Sequence, residues 1–199
     1  MIKIITLLLF IQIVILAQCD TNIVFLADID STIIFDVKYS TKNNFTGKVL
    51  YPTSKVFLRK IAADSLKRAN EYLLKNFGYR LKIFDGYRPL SVQKFMWSVF
   101  PDDRYVANPK TGSRHNRGAA VDLTIIDSNE NELDMGTPYD DFSEMAHSDF
   151  PQLPKEVLRN RKLLSDVMKK FGFIPLSTEW WHFDFKDWKN YSILEIEIN

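Results

Sequence analysis

The run STEWWHFDF, residues 177–185, constrains this chain more than any other stretch. Its aromatic residues read as a strand of the core. Glu179 and His182 stand three apart within it, and a flat strand sends residues i and i+3 to opposite faces. If both serve one site, the backbone must bend, bulge or already be loop at Glu179. The alternative is a solvated carboxylate at the strand end and a core histidine bonded to backbone.

The segments before it set the frame. STIIFDVKY (31–39) reads as a strand. Ser54 stands where it would cap a helix over 55 to about 76. Val56, Phe57, Ile61, Leu66, Ala69 and Leu73 stripe that helix, and Gly78 stops it. YRLKIFDGYR (79–88) gives a strand with Leu81 and Ile83 on one face, then a turn at Asp85-Gly86. A short helix over 91–99 ends before Pro101. GAAVDLTII (118–126) alternates, with Val121, Leu123 and Ile125 on one face and Asp122 and Thr124 on the other. Helical spacing returns over 154–170, and SILEIEI (192–198) alternates as a closing strand. This order predicts one α+β domain, a mainly antiparallel central sheet flanked by helices.

The chain has 199 residues, enough for one domain with a real core, and a net charge of +1, too balanced to attract nucleic acid. Its start differs from the rest. Residues 4–17 form an apolar run as long as a signal-peptide core and short of the roughly 20 residues of a membrane span. A leader over 1–19 and a folded domain over 20–199 are therefore expected, with an uncleaved anchor as the alternative. Cys19 is the only cysteine, so no intramolecular disulfide forms. Leu16-Ala17-Gln18-Cys19 resembles a lipoprotein lipobox, which leaves open a lipid on Cys19 or cleavage near Ala17. The expected location is the periplasm or cell envelope.

Two further segments carry candidate chemistry. In SRHNRGAAVD (113–122), His115 lies in a polar loop and Asp122 on the non-core face of the strand that follows. With His182 they make three N/O donors, the set that leaves one position for water in a catalytic zinc site. Taken alone, the pair equally suits a surface loop and a polar strand face. In DGYRP (85–89), Arg88 offers a planar fork to an anion, or pairs structurally with Asp85.

Taken together, these segments resemble the D-alanyl-D-alanine dipeptidases, zinc peptidases related to the D,D-carboxypeptidases and the hedgehog-type fold. The resemblance runs through NNFTGK (43–48), FDGYRPLSVQ (84–93), SRHNRGAAVDLT (113–124), ELDMGTPYDDF (132–142), NRKLLSDVM (160–168) and EWWHFDF (179–185). It implies one Zn2+ held by His115, Asp122 and His182. It also implies Glu179 as the catalytic acid/base and Arg88 as the group that stabilises the transition state. Ser113 and Asp140, with Asp141 as the alternative register, would lie near the substrate's amino end. Trp180 and Trp181 would wall the site, and His147 is left as a structural histidine. The implied reaction is hydrolysis of D-Ala-D-Ala to two D-alanines in peptidoglycan turnover or salvage. A murein D,D-carboxypeptidase or endopeptidase is the alternative, and a non-catalytic zinc-bearing module a third. An exported enzyme does not meet the cytosolic dipeptide pool, which favours salvage over glycopeptide resistance.

Overall fold

The computed structural model describes residues 22–198, so the expected leader and Cys19 lie outside the described residues. The chain runs through β1 (Ile23–Phe25), α1 (Leu26–Ile29), β2 (Ile34–Phe35), β3 (Phe57–Arg59), α2 (Lys60–Phe77), β4 (Arg80–Asp85) and α3 (Leu90–Val99). It continues through β5 (Ala120–Ile126), α4 (Lys155–Lys170), β6 (Phe173–Pro175) and β7 (His182–Phe185). Five strands form a sheet in the order β2-β4-β5-β7-β6, parallel only between β2 and β4. β1 and β3 pair apart from it. This is the expected α+β domain with a mainly antiparallel sheet. Among the described residues no helix is long and apolar enough to cross a membrane.

The core follows the apolar periods. Leu66, Ala69 and Leu73 of α2 are fully buried, as are Leu81, Ile83, Leu123 and Ile125 of the two central strands. Leu164, Val167 and Met168 of α4 join the same cluster. Gly78 ends α2 at φ 70, where its N–H reaches Leu74 O, a left-handed conformation that glycine adopts without steric cost. β5 is buried along its whole length, so its alternation separates a core-facing row from a site-facing row.

Three expectations change. In 31–39 only Ile34–Phe35 is strand. The chain then turns through a 3-10 segment at Lys38–Ser40, which tucks Tyr39 inward. The expected helix start at 55 is wrong, because Phe57–Arg59 pairs with β1 and α2 begins at Lys60. Leu26 N–H and Arg59 N–H bond to Val56 O and Gly118 O, so distant partners override the local helical stripe. SILEIEI joins no strand. Leu194 and Ile198 pack on Tyr87, whose hydroxyl donates to Ile196 O at 2.6 Å and accepts Ile196 N–H at 3.1 Å, so one tyrosine replaces a ladder.

Register carries function. Asp85 pairs with Asp122 across β4 and β5, and Asp122 with His182 across β5 and β7. Three polar residues thus stand abreast on three adjacent central strands.

One side chain clamps the long segment between β5 and α4 at three points. Arg161, buried on α4, donates from Nε to Met135 O, from Nη1 to His147 O and from Nη2 to Met145 O. Replacing it with leucine strands three carbonyls and their loop. Arg161→Leu is expected to lose about 3 kcal/mol of stability, on the scale of bonds to a charged donor. Urea unfolding checks this; an unchanged midpoint would show that the clamp is dispensable.

Candidate active site

His115 comes from the 3-10 turn His115–Arg117 that precedes β5, Asp122 from the middle of β5, and His182 from the first position of β7. Their donor atoms form a small triangle. His115 Nε2 lies 3.1 Å from His182 Nδ1 and 3.3 Å from Asp122 Oδ1. His182 Nδ1 lies 2.9 Å from the same oxygen. Tetrahedral ligands at roughly 2.0–2.1 Å from a zinc ion stand about 3.3 Å apart, so the triangle has the size of a metal-binding face.

The outer partners fit that use. His115 Nδ1 lies 2.7 Å from Gly86 O, and His182 Nε2 lies 2.9 Å from Asp184 Oδ1. Each imidazole can donate outward and turn its other nitrogen into the triangle, as metal-ligating histidines do. Burial pushes the Asp122 carboxyl up, but His115 and His182 outweigh it and hold it well below the usual carboxylate range. Burial pulls His182 down, yet its bonds to Asp122 and Asp184 hold it up to about 10. A dication would take the place of that proton. The donor set and its surroundings therefore fit a metal ion.

Glu179 lies outside β7, in the turn before it, and His182 N–H closes on Glu179 O at 3.4 Å. The chain leaves strand geometry where the three-residue spacing required. Glu179 Oε2 stands 3.9 Å from His182 Nδ1, and burial pushes its carboxyl up to about 8. Arg88 is buried. Its Nε and Nη2 donate to Asp85 Oδ2 at 3.0 and 2.8 Å, and its Nη1 to Gln93 Oε1 at 2.9 Å. The structural pairing with Asp85 and a place at the site are both present, because Nη2 also lies 3.9 Å from Asp122 Oδ2.

One cavity collects these groups. His115, Asp122, His182, Glu179, Arg88, Ser113 and Asp140 all line it. Asp140, not Asp141, faces inward. It accepts Tyr39 Oη at 3.0 Å and Phe45 N–H at 3.2 Å, and burial pushes it up to about 7. Asp141 instead caps Ser143 N–H at the surface. Ser113 Oγ accepts Asn116 N–H, which braces the turn that delivers His115. Of the two tryptophans only Trp181 walls the cavity; Trp180 turns away and donates to Thr137 Oγ1. His147 does not line it, and its carbonyl serves Arg161.

The sequence reading missed three contributors. Asp184 stands two residues after His182 on the same strand face, a spacing that flags an imidazole partner. Tyr139 donates to Asp122 Oδ2 at 3.0 Å, and its hydroxyl lies 3.2 Å from that of Tyr39, but no local pattern announces either contact.

Residues 19–194 match the family model described as D-ala-D-ala dipeptidase. The chain is 37% identical over 174 residues to the D-alanyl-D-alanine dipeptidase of Escherichia coli (strain K12), covering 87% of this chain and 90% of that protein. It is 34% identical to the enzyme of the same name from Streptomyces coelicolor and 33% identical to that from Enterococcus faecium. Each of these two alignments spans 82% of this chain and 91% of the relative.

Removing one corner of the triangle tests the metal site. His115→Ala is expected to fold and to lose bound divalent metal. Elemental analysis of purified protein measures it, and a full complement of metal in the variant would refute the assignment.

Proposed function

The chain belongs to the D-ala-D-ala dipeptidase family, a family of metallopeptidases, and we propose that it hydrolyses the free dipeptide D-Ala-D-Ala to two D-alanines with zinc held by His115, Asp122 and His182. The observation that carries this reading is one cavity holding the donor triangle, a buried proton carrier at Glu179 and a half-buried carboxylate at Asp140. A zinc ion held there would supply Lewis acidity toward the scissile carbonyl and would lower the pKa of the attacking water.

The side chains do the rest. Glu179 reaches the triangle without supplying one of its donors. A dication there would draw its carboxyl back down from about 8, so that it could take a proton and return it to the departing nitrogen. Arg88 spends three of its five N–H groups on Asp85 and Gln93, leaving one on Nη1 and one on Nη2 for the developing oxyanion. Its pairing keeps it from swinging away. Asp140 receives the substrate's ammonium, and Ser113 contributes a hydroxyl near it.

Asp140 also separates this reading from a murein carboxypeptidase. In a longer peptide an amide stands where the ammonium should be, and the half-buried carboxylate is left without a cation. The cavity, at about 90 Å³, has room for about three waters by the volume each occupies, which suits a small ligand better than a polymer. The apolar leader supports export to the periplasm or cell envelope and a role in salvage of wall-derived dipeptide.

The direct test incubates purified protein with D-Ala-D-Ala, L-Ala-L-Ala and a pentapeptide ending in D-Ala-D-Ala, with and without chelator. Only the first should be cleaved, and zinc should restore activity after chelation. Pentapeptide cleavage in preference would favour the carboxypeptidase reading. Glu179→Ala should keep its zinc and lose about 10²–10⁴-fold in turnover, the range of general acid–base groups. Retention of a tenth of the activity would remove Glu179 from that role.

Asp140 makes a pH prediction. Its carboxyl, pushed up to about 7, is charged only above that pH, so affinity for the ammonium should fall as pH drops through 7. KM should rise on the acid side. Asp140→Asn should raise KM at pH 8 and remove this dependence, as read by initial rates across pH 5.5 to 8.5. A KM that stays flat in the native protein would exclude the role.

A further inference from the structure

A free dipeptide has two charged ends, and the reading above accounts for one of them. The carboxylate needs a cation with terminal N–H groups to spare. Arg88 has three of its N–H groups on Asp85 and Gln93, and the remaining two are assigned to the oxyanion. Two other arginines line the cavity, Arg104 and Arg114. The Arg104 side chain is 71% exposed, and its fork is taken by Asp102 at 2.6 Å.

Arg114 is held differently. Its buried Nε makes an ion pair with Asp184 Oδ2 at 3.3 Å without hydrogen-bond geometry, and its guanidinium lies over the Trp188 ring at 4.8 Å. Its backbone is locked as well, because Arg114 O accepts both Arg117 N–H and Ala119 N–H in the turn that presents His115. Its side chain is 36% exposed, and neither Nη1 nor Nη2 makes a hydrogen bond among the described residues. One edge and one face are thus fixed by protein, while the two terminal nitrogens are left to a ligand.

The wiring of the site links two cavity-lining groups of opposite charge to the triangle. From Asp122 Oδ2 the contacts run through Tyr139 and Tyr39 to Asp140. From Asp122 Oδ1 they run through His182 and Asp184 to Arg114. An acid closes one path and a base closes the other, and both paths start from Asp122 of the donor triangle. A zwitterion with its reacting carbonyl at the triangle matches that order.

We infer that Arg114 recognises the substrate's free α-carboxylate, held for that task by Asp184 and Trp188, and so sets the enzyme's requirement for an unblocked C-terminus. The inference rests on the dipeptidase reading. It assigns Asp184 a second task, since one carboxylate orients both His182 and Arg114. Lysine cannot substitute fully, because an ammonium lacks the planar fork that pairs with Asp184 while stacking on Trp188.

The test compares D-Ala-D-Ala with D-alanyl-D-alaninamide, which lacks the negative charge. The native enzyme should prefer the free acid by about 10- to 100-fold in kcat/KM, the range of a bond between charged groups. Arg114→Gln should raise KM for the free acid by a similar factor, leave kcat within a few-fold, barely change KM for the amide, and keep its zinc by elemental analysis. Arg114→Lys should recover only part of the preference. The inference is overturned if Arg114→Gln retains the native preference, or if Arg104→Gln erases it instead. It is overturned without any variant if the native enzyme cleaves the amide as well as the acid. A native enzyme that cleaves neither compound refutes the dipeptidase reading itself, and the inference falls with it.

Discussion

The register of β5 against its two neighbours is the constraint on which the rest of the site depends. It sets Asp85, Asp122 and His182 abreast, so the carboxylate oxygen and the imidazole nitrogen meet at 2.9 Å with no long loop between them. A slip of one residue would turn Asp122 to the core and put an aliphatic side chain in its place. Apolar packing prevents the slip. Val121, Leu123 and Ile125 fill one side of β5, and Phe183 and Phe185 are buried on β7. The hydrophobic alternation that makes the sheet therefore also positions the chemistry. His115 depends on the same strand through the turn closed by Gly118, whose φ of 64 disfavours other residues and whose added Cβ would crowd Ile23 and Arg59.

Around that register the protein buries many polar groups and partners nearly all of them. Asp85 takes Arg88, Tyr51 and its neighbour's backbone N–H. Gln93 links Arg88 to the loop at Ala107. Asp140 and Glu179 are carboxyls that burial holds far above their usual range. Both face the cavity, where a bound cation or a transferred proton would relieve them. Such groups are the expected marks of a site tuned for binding and proton transfer. The long segments that enclose the cavity owe their order to side chains rather than to strands, with Arg161 holding one and Tyr87 the C-terminal one.

The parts that were legible in the sequence are those where local pattern and tertiary role agree. The α4 helix, the β4 and β5 strands and the stop at Gly78 all appear where periodicity places them. The bend at Glu179 follows from side-chain period alone. Expectation failed where a distant partner won. Residues 57–59 have a helical stripe but pair with β1, and SILEIEI has strand alternation but finds no strand beside it. Asp184 was within reach, two residues from His182. Arg161 and Tyr139 were not, because each acts across many residues of chain on atoms that no local spacing reveals.

By itself, the sequence determined the donor types, the α+β class and the need for irregular backbone before His182, because these follow from side-chain chemistry and from periods of two and 3.6 residues. The tertiary structure alone decided that Asp140 rather than Asp141 enters the cavity, and that Trp181 rather than Trp180 walls it. It alone tied Arg114 to the donor triangle through Asp184. Those choices rest on register, on a left-handed residue at Asp140 and on contacts between segments far apart in the chain, none of which is encoded within a few residues of the side chain it aims.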